Sequence, residues 1–195
     1  AYADEMGVEA VYTDFEQMLR EADIDAVDIA TVHSTHRDLA VAAARANKHI
    51  LLEKPMAPNL AACERILEAA RKSGQVFMVA ENAQYWPEVL QVKELLDAGA
   101  IGEPVTVRGN FFVPPLANYY GGERAWRLDQ RVAGGGIAID GGAHWIRPLR
   151  MWLGEIDEVV AVTGHLVTEM EGESFARSLL RFESGVVAVF DAIYG

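Results

Sequence analysis

AVDIATVHSTHRDLAVAAARANKHILLEKP, residues 26–55, sets two short apolar runs around an alanine-rich segment. The runs, AVDIAT at 26–31 and HILL at 49–52, are strand-length and aliphatic, and they read as buried strands, the first despite Asp28. Between them 35–46 has the composition and length of a helix. Strand, helix, strand in that order is a βαβ unit, whose two strands lie parallel.

The same alternation extends outward on both sides. A short helix is expected over 15–21, after Thr13 and Asp14, which are good N-cap types. Downstream come a helix over 59–73 closed by Gly74, a third strand over 76–80, and a helix over 87–98 that opens on Pro87 and closes at Gly99. The fold class is therefore α/β, built on a parallel sheet. Active groups in such sheets gather at the carboxyl ends of the strands. Here those ends are Thr31-Val32-His33, Glu53-Lys54-Pro55 and Glu81-Asn82.

The pattern changes near Ile101-Gly102. A strand of alternating character over 104–113 is followed by a loop rich in Pro, Tyr, Gly and Arg. Gly134-Gly135-Gly136 leads into a helix over 137–153, and strands are expected over 155–167, 174–183 and 186–192. The last two read as a hairpin around Glu183-Ser184-Gly185. This is an α+β unit with a mostly antiparallel sheet, so the chain divides into 1–102 and 103–195.

Composition excludes several classes. The 195 residues are 51% hydrophobic and carry a net charge of -12, which argues against nucleic acid as a partner. The apolar runs are too short to cross a bilayer, and the first residues, AYADEMGVEA, have neither a basic nor an apolar signal region. Cys63 is the one cysteine, at a helix-like apolar position, where it reads as a small buried hydrophobe in a reducing, cytoplasmic protein.

Two groups of residues carry chemistry. Lys54 directly follows a strand, so its ammonium is held near the sheet's active end, where it can polarise a substrate oxygen; Pro55 fixes the backbone after it and can be cis. The second group is GGGIAIDGGAHW, residues 134–145. Asp140 and His144 are four apart, on one face of a helix, where a carboxylate would fix the histidine tautomer and raise its basicity. The glycines before them allow another backbone or a ligand to come close. A surface lysine and a plain helical ion pair are the bland alternatives. His33, His36, Glu53, Asp140 and His144 are metal-ligand types, although their spacing matches no compact metal motif. Tyr85, Trp86, Tyr119, Tyr120, Trp126 and Arg127 could stack on and bind a sugar, or could pack between the two units.

In this order, AT-x-x-x-x-H at 30–36, HILLEKP at 49–55, DAGAIGE at 97–103, a Trp-Arg pair and GGG-x-x-x-D-x-G-x-H at 134–144 resemble the Gfo/Idh/MocA family of glucose-fructose oxidoreductase, inositol dehydrogenase and rhizopine catabolism proteins. The resemblance implies an NAD- or NADP-binding Rossmann domain followed by a substrate and oligomerisation domain. It implies hydride transfer between the cofactor and a sugar or polyol, with Lys54, Asp140 and His144 as the catalytic residues. Thr31, Val32, His33, His36, Glu53 and Lys54 would line the cofactor, with Glu53 facing the nicotinamide ribose. Gln84, Trp126 and Arg127 would join the catalytic residues around the substrate. The acidic charge and the resemblance suggest a soluble homo-oligomer.

The resemblance also places the first βα unit, with its G-x-G-x-x-G turn and the residue that selects NAD or NADP, before Ala1. The chain is expected to stop inside the C-terminal sheet, leaving an unpaired strand edge at each truncation. The family often has arginine where Gln84 stands, aspartate where Arg147 stands, and Pro-Asn where Val32-His33 stands. A non-catalytic ligand-binding regulator of the same fold and a metal-dependent sugar isomerase or hydrolase remain as alternatives.

Overall fold

A computed structural model describes residues 2–114 and 122–195. After a single turn α1 (Tyr2–Glu5) comes α2 (Phe15–Glu21), whose first turn is capped by Asp14 through the Gln17 amide. Then β1 (Ala26–Ile29), α3 (His36–Arg45), β2 (His49–Leu52), α4 (Leu60–Ser73) and β3 (Phe77–Val79) alternate. The strands form a parallel sheet in the order β1-β2-β3. Asn59 caps α4 through the Ala62 amide, and Gly74 ends it in the left-handed conformation.

The strands are covered on one face rather than buried on both. Val27, Ile29, Ile50 and Leu52 pack beneath α3 and α4, with Ala40, Ala43, Ala44 and Ile66 from the helices. Asp28, Leu51 and Met78 point to the open side. α3 and α4 pack side by side on that one face. Asp28 thus sits on the exposed face of its strand.

A helix, α5 (Pro87–Asp97), leads to the second sheet. Its strands are β4 (Thr106–Val113), β5 (Ile156–Gly164), β6 (Phe175–Phe182) and β7 (Val187–Tyr194), in the order β4-β7-β6-β5. The hairpin β6–β7 turns on Gly185, at φ 85°, and β5 pairs antiparallel to β6. The β4–β7 pairing is parallel, so the sheet is mixed. Between β4 and β5 lie α6 (Gln130–Ala133), α7 (Ile137–Asp140) and α8 (Ala143–Leu153). Ile137, Leu149 and Leu153 from these helices and Leu180, Phe182 and Phe190 from the sheet form the second core. Among the described residues no helix is long and apolar enough to cross a membrane.

The single helix expected over 137–153 is two helices. At the break the Gly142 amide bonds five residues back to Ile137, and the His144 and Trp145 amides then bond only three back. This widening and tightening at Gly141-Gly142 turns Asp140 and His144 away from the shared face that an unbroken helix would give them. The glycines are needed for packing: a Cβ on Gly141 would stand 2.0 Å from the Phe111 ring of β4.

Candidate active site

The carboxyl ends of all three parallel strands meet the turn-rich segment 126–147. From β2, the Lys54 ammonium donates to the Asp140 carboxylate (2.9 Å) and to the Asp140 carbonyl (3.0 Å). Both side chains are about nine-tenths buried, at 11% and 9% exposed, which leaves the pair a strong Coulombic coupling. The Lys54–Pro55 peptide is cis. Arg127 approaches the other Asp140 oxygen at 3.4 Å while its guanidinium lies 4.3 Å from the Trp126 ring centre.

From β3 comes a residue that the sequence reading placed at a strand end but left out of the site. Glu81 is buried at 8% exposed, and its Oε1 lies 2.7 Å from His144 Nδ1. The same oxygen accepts the Ala83 amide at 2.9 Å. Burial alone would raise this carboxyl. The bonds from His144 and Ala83, with the charges of His144 and Lys54, outweigh it and hold the group below the ordinary carboxylate value. Trp86 stacks over the His144 ring at 6.2 Å.

The expected Asp140–His144 pair is therefore corrected. Asp140 serves Lys54 and Arg127, and the carboxylate on His144 Nδ1 is Glu81. Position at the end of β3 was the available signal for Glu81; the partnership itself is made by tertiary packing across 63 residues.

The other expected residues divide. Thr31 is exposed at the end of β1, its hydroxyl 2.7 Å from that of Thr35, and Val32 and Glu53 are half-buried beside it. His36 is corrected: it is fully buried, with Nδ1 3.0 Å from the Pro55 carbonyl and Nε2 3.1 Å from the Thr31 carbonyl, so its ring ties β1 to the segment after Lys54 and cannot touch a ligand. His33 is 2% exposed, with Nδ1 2.8 Å from the Ala133 carbonyl and its ring packed edge-on to Trp126 at 4.6 Å. Burial draws its pKa down to about 4, against the opposing pull of the Ala133 bond. Trp126 thus packs between the two units, as the bland alternative had it. Gln84 donates to the Glu81 carbonyl and accepts two bonds from Arg147, each 3.0 Å. Tyr119 and Tyr120 lie outside the described residues. Among the described residues no group of three or more His, Cys, Asp or Glu is placed to hold a metal ion.

The glycine-rich stretch does bring backbones together. Gly134, at φ 91°, lies against Pro58, and a Cβ there would stand 2.5 Å from the Pro58 Cα. Gly136 lies against Glu173, whose carboxylate accepts the Gly136 and Ala138 amides and whose carbonyl accepts that of Ile137. Three successive amides are fixed by one residue, and Asp140 follows within the same turn.

Comparison with known proteins agrees with this architecture. Residues 1–81 match the oxidoreductase family with an NAD-binding Rossmann fold, and 89–194 match the GFO/IDH/MocA C-terminal domain. The chain is 32% identical to 1,5-anhydro-D-fructose reductase of Ensifer adhaerens over 97% of its length and 56% of that protein's. It is 32% identical to myo-inositol 2-dehydrogenase of Thermotoga maritima, over 98% of this chain and 58% of that one. A levoglucosan dehydrogenase solved with NADH and levoglucosan superposes with a TM-score of 0.90 at 30% identity, over 98% of this chain and 53% of that one. The chain thus spans a little over half the length of these relatives. With both its sheets matched in order, the chain belongs to the Gfo/Idh/MocA family of oxidoreductases.

Proposed function

We propose that the protein is a nicotinamide-dependent dehydrogenase or reductase of a sugar, polyol or sugar derivative, with 1–102 belonging to the cofactor-binding domain and 103–195 to the substrate domain. The observation that carries this reading is the Lys54–Asp140 pair beyond the carboxyl end of β2, with the Glu81-bound His144 four residues on from Asp140. An ammonium held on a carboxylate near an imidazole is suited to an alcohol–ketone interconversion, in which an oxygen gains charge as its proton moves.

The residues present fit a nicotinamide dinucleotide. Thr31 is exposed and Glu53 half-buried beyond adjacent strand ends, a hydroxyl and a carboxylate of the types suited to ribose hydroxyls. When bound, the nicotinamide supplies a hydride acceptor or donor at its C4. In the oxidative direction the substrate carbinol loses its C–H hydrogen as hydride, is oxidised to a carbonyl, and releases its hydroxyl proton to the His144 imidazole. Lys54 steadies the alkoxide oxygen as the proton leaves, and Asp140 holds Lys54 in place. Water exclusion falls to Trp86, stacked on His144, and to Trp126 beneath Arg127.

Two further readings follow from the surface. Val160, Val162 and Leu179 lie exposed on adjacent strands of the second sheet, which supports a homo-oligomer formed through that face. A single thiol, Cys63, raised by burial, suits a reducing cytoplasm.

The test is turnover of the complete protein with NAD and NADP across a panel of hexoses, inositols and anhydrosugars. Lys54→Ala and His144→Ala should each lower kcat by roughly 10²–10⁴-fold with the fold intact by circular dichroism. Full activity in both variants would remove the assigned roles, and cofactor binding without turnover on any substrate would favour a binding protein.

A further inference from the structure

We infer that Glu81 is a positioning residue that fixes the tautomer of His144, leaving Nε2 as the proton-accepting atom. This rests on the dehydrogenase reading for its catalytic consequence, but not for its geometry. A neutral imidazole carries one N–H. Facing a carboxylate oxygen at 2.7 Å, Nδ1 is the nitrogen that keeps the hydrogen, and the lone pair falls to Nε2. Among the described residues Nε2 has no hydrogen-bond partner, and the ring is 22% exposed, open enough for a substrate hydroxyl to reach it.

Glu81 is built for the task. It immediately precedes a 3-10 turn (Asn82–Tyr85) two residues past the end of β3, and it caps that turn through the Ala83 amide. The oxygen that meets His144 is therefore set by local backbone geometry rather than by a free rotamer. The carboxylate stays ionised because its bonds outweigh its burial. From the other side, α8 is held in register by two bonds from Arg147 to Gln84, which in turn binds the Glu81 carbonyl. The Trp86 ring stacks over the imidazole with its centre 6.2 Å away. The charged groups around the pair are Lys54 from β2, Asp140 from α7 with Arg127 upon it, and Arg147 on the next turn of α8. Asp140 has its carboxylate on Lys54 and Arg127. The two carboxylates thus split the work, one for the ammonium and one for the imidazole.

The role differs from that of an inert strut between the two units. A strut would change stability alone, whereas a tautomer-fixing carboxylate changes the ring's protonation pattern and the chemical step. In water the neutral ring favours the Nε2–H tautomer slightly, so loss of Glu81 should let His144 revert.

The experiment uses the complete protein labelled with ¹⁵N-histidine, with His144 assigned by comparison with His144→Gln, at a pH where the ring is neutral. The expected spectrum shows His144 protonated on Nδ1 with Nε2 bare. Glu81→Ala should shift it toward the Nε2–H form and lower kcat by roughly 10²–10⁴-fold with KM changed by only a few-fold. Glu81→Gln, which can still accept from Nδ1, should restore part of both. An Nε2–H tautomer in the unsubstituted protein, or unchanged kcat in a folded Glu81→Ala, would overturn the inference. If Glu81→Ala does not fold, the spectrum of the unsubstituted protein decides alone. That spectrum also stands apart from the dehydrogenase reading: a protein inactive on every sugar but protonated on Nδ1 would lose its proposed reaction and keep this positioning.

Discussion

Replacing His33 with Asn should make the protein's stability less dependent on pH, by an amount that the structure sets. His33 lies at the carboxyl end of β1, 2% exposed, and its Nδ1 faces the Ala133 carbonyl of α6 at 2.8 Å. Burial is the largest influence on the ring and lowers its pKa from 6.5 to about 4; the Ala133 bond and the Asp140 charge oppose it, and His36 and Lys54 add to it. Between those values the unfolded chain binds a proton that the folded chain refuses, so stability rises with pH across the window. The contribution is fully present above about pH 6.5 and lost as pH falls toward 4. A gap of about 2.5 units at 1.36 kcal/mol each amounts to about 3 kcal/mol. His33→Asn keeps an N–H donor for Ala133 and has nothing to titrate. Urea unfolding of both proteins at intervals from about pH 7.5 down to about pH 4 gives the two stability curves. The unsubstituted protein should lose about 3 kcal/mol more than the variant over that range. Parallel curves would refute the reasoning, because they would mean that the folded protein accepts the proton without penalty.

Two further substitutions test the support beneath Asp140. Gly136→Ala places a Cβ 1.8 Å from the Glu173 carbonyl oxygen, a backbone atom that cannot swing away; thermal melting should show a loss of at least about 1–3 kcal/mol. Glu173→Gln leaves one of the Gly136 and Ala138 amides facing an NH₂ group, and should cost about 1–3 kcal/mol by the same assay, whereas an unchanged Tm would mean that water replaces the bond without loss.

Much of the fold could be read directly because local chemistry wrote it. Asp14, Asn59, Gly74 and Pro87 mark helix ends by capping and by backbone preference, and the helices lie where those residues put them. Lys54 was legible for the same reason, since a residue after a strand in a parallel sheet has few places to go. What escaped is what depends on distant partners. The parallel pairing of β4 with β7 joins residues some eighty positions apart, and no periodicity within either strand encodes it. The need for glycine at position 141 comes from the Phe111 ring on another strand. Glu81 looked like one more polar residue at a strand end, because nothing near it in sequence says that a histidine will arrive.

The contacts that build the candidate site are also the contacts that join the two halves, so on the proposed reading the chemistry depends on the packing of that interface. Each pairs a residue from the parallel-sheet half with one from the segment 133–152: His33 with Ala133, Pro58 with Gly134, Lys54 with Asp140, Glu81 with His144, Gln84 with Arg147 and Val89 with Trp152. The last three pairs share one separation, 63 residues, so α8 runs alongside the 81–89 segment without slipping. A slip would part His144 from Glu81 and Trp152 from Val89 together. The family's usual Arg and Asp at the Gln84 and Arg147 positions would span the same gap with the cation on the opposite side. Exchanging which partner carries the charge keeps the register while changing the field one helical turn from His144.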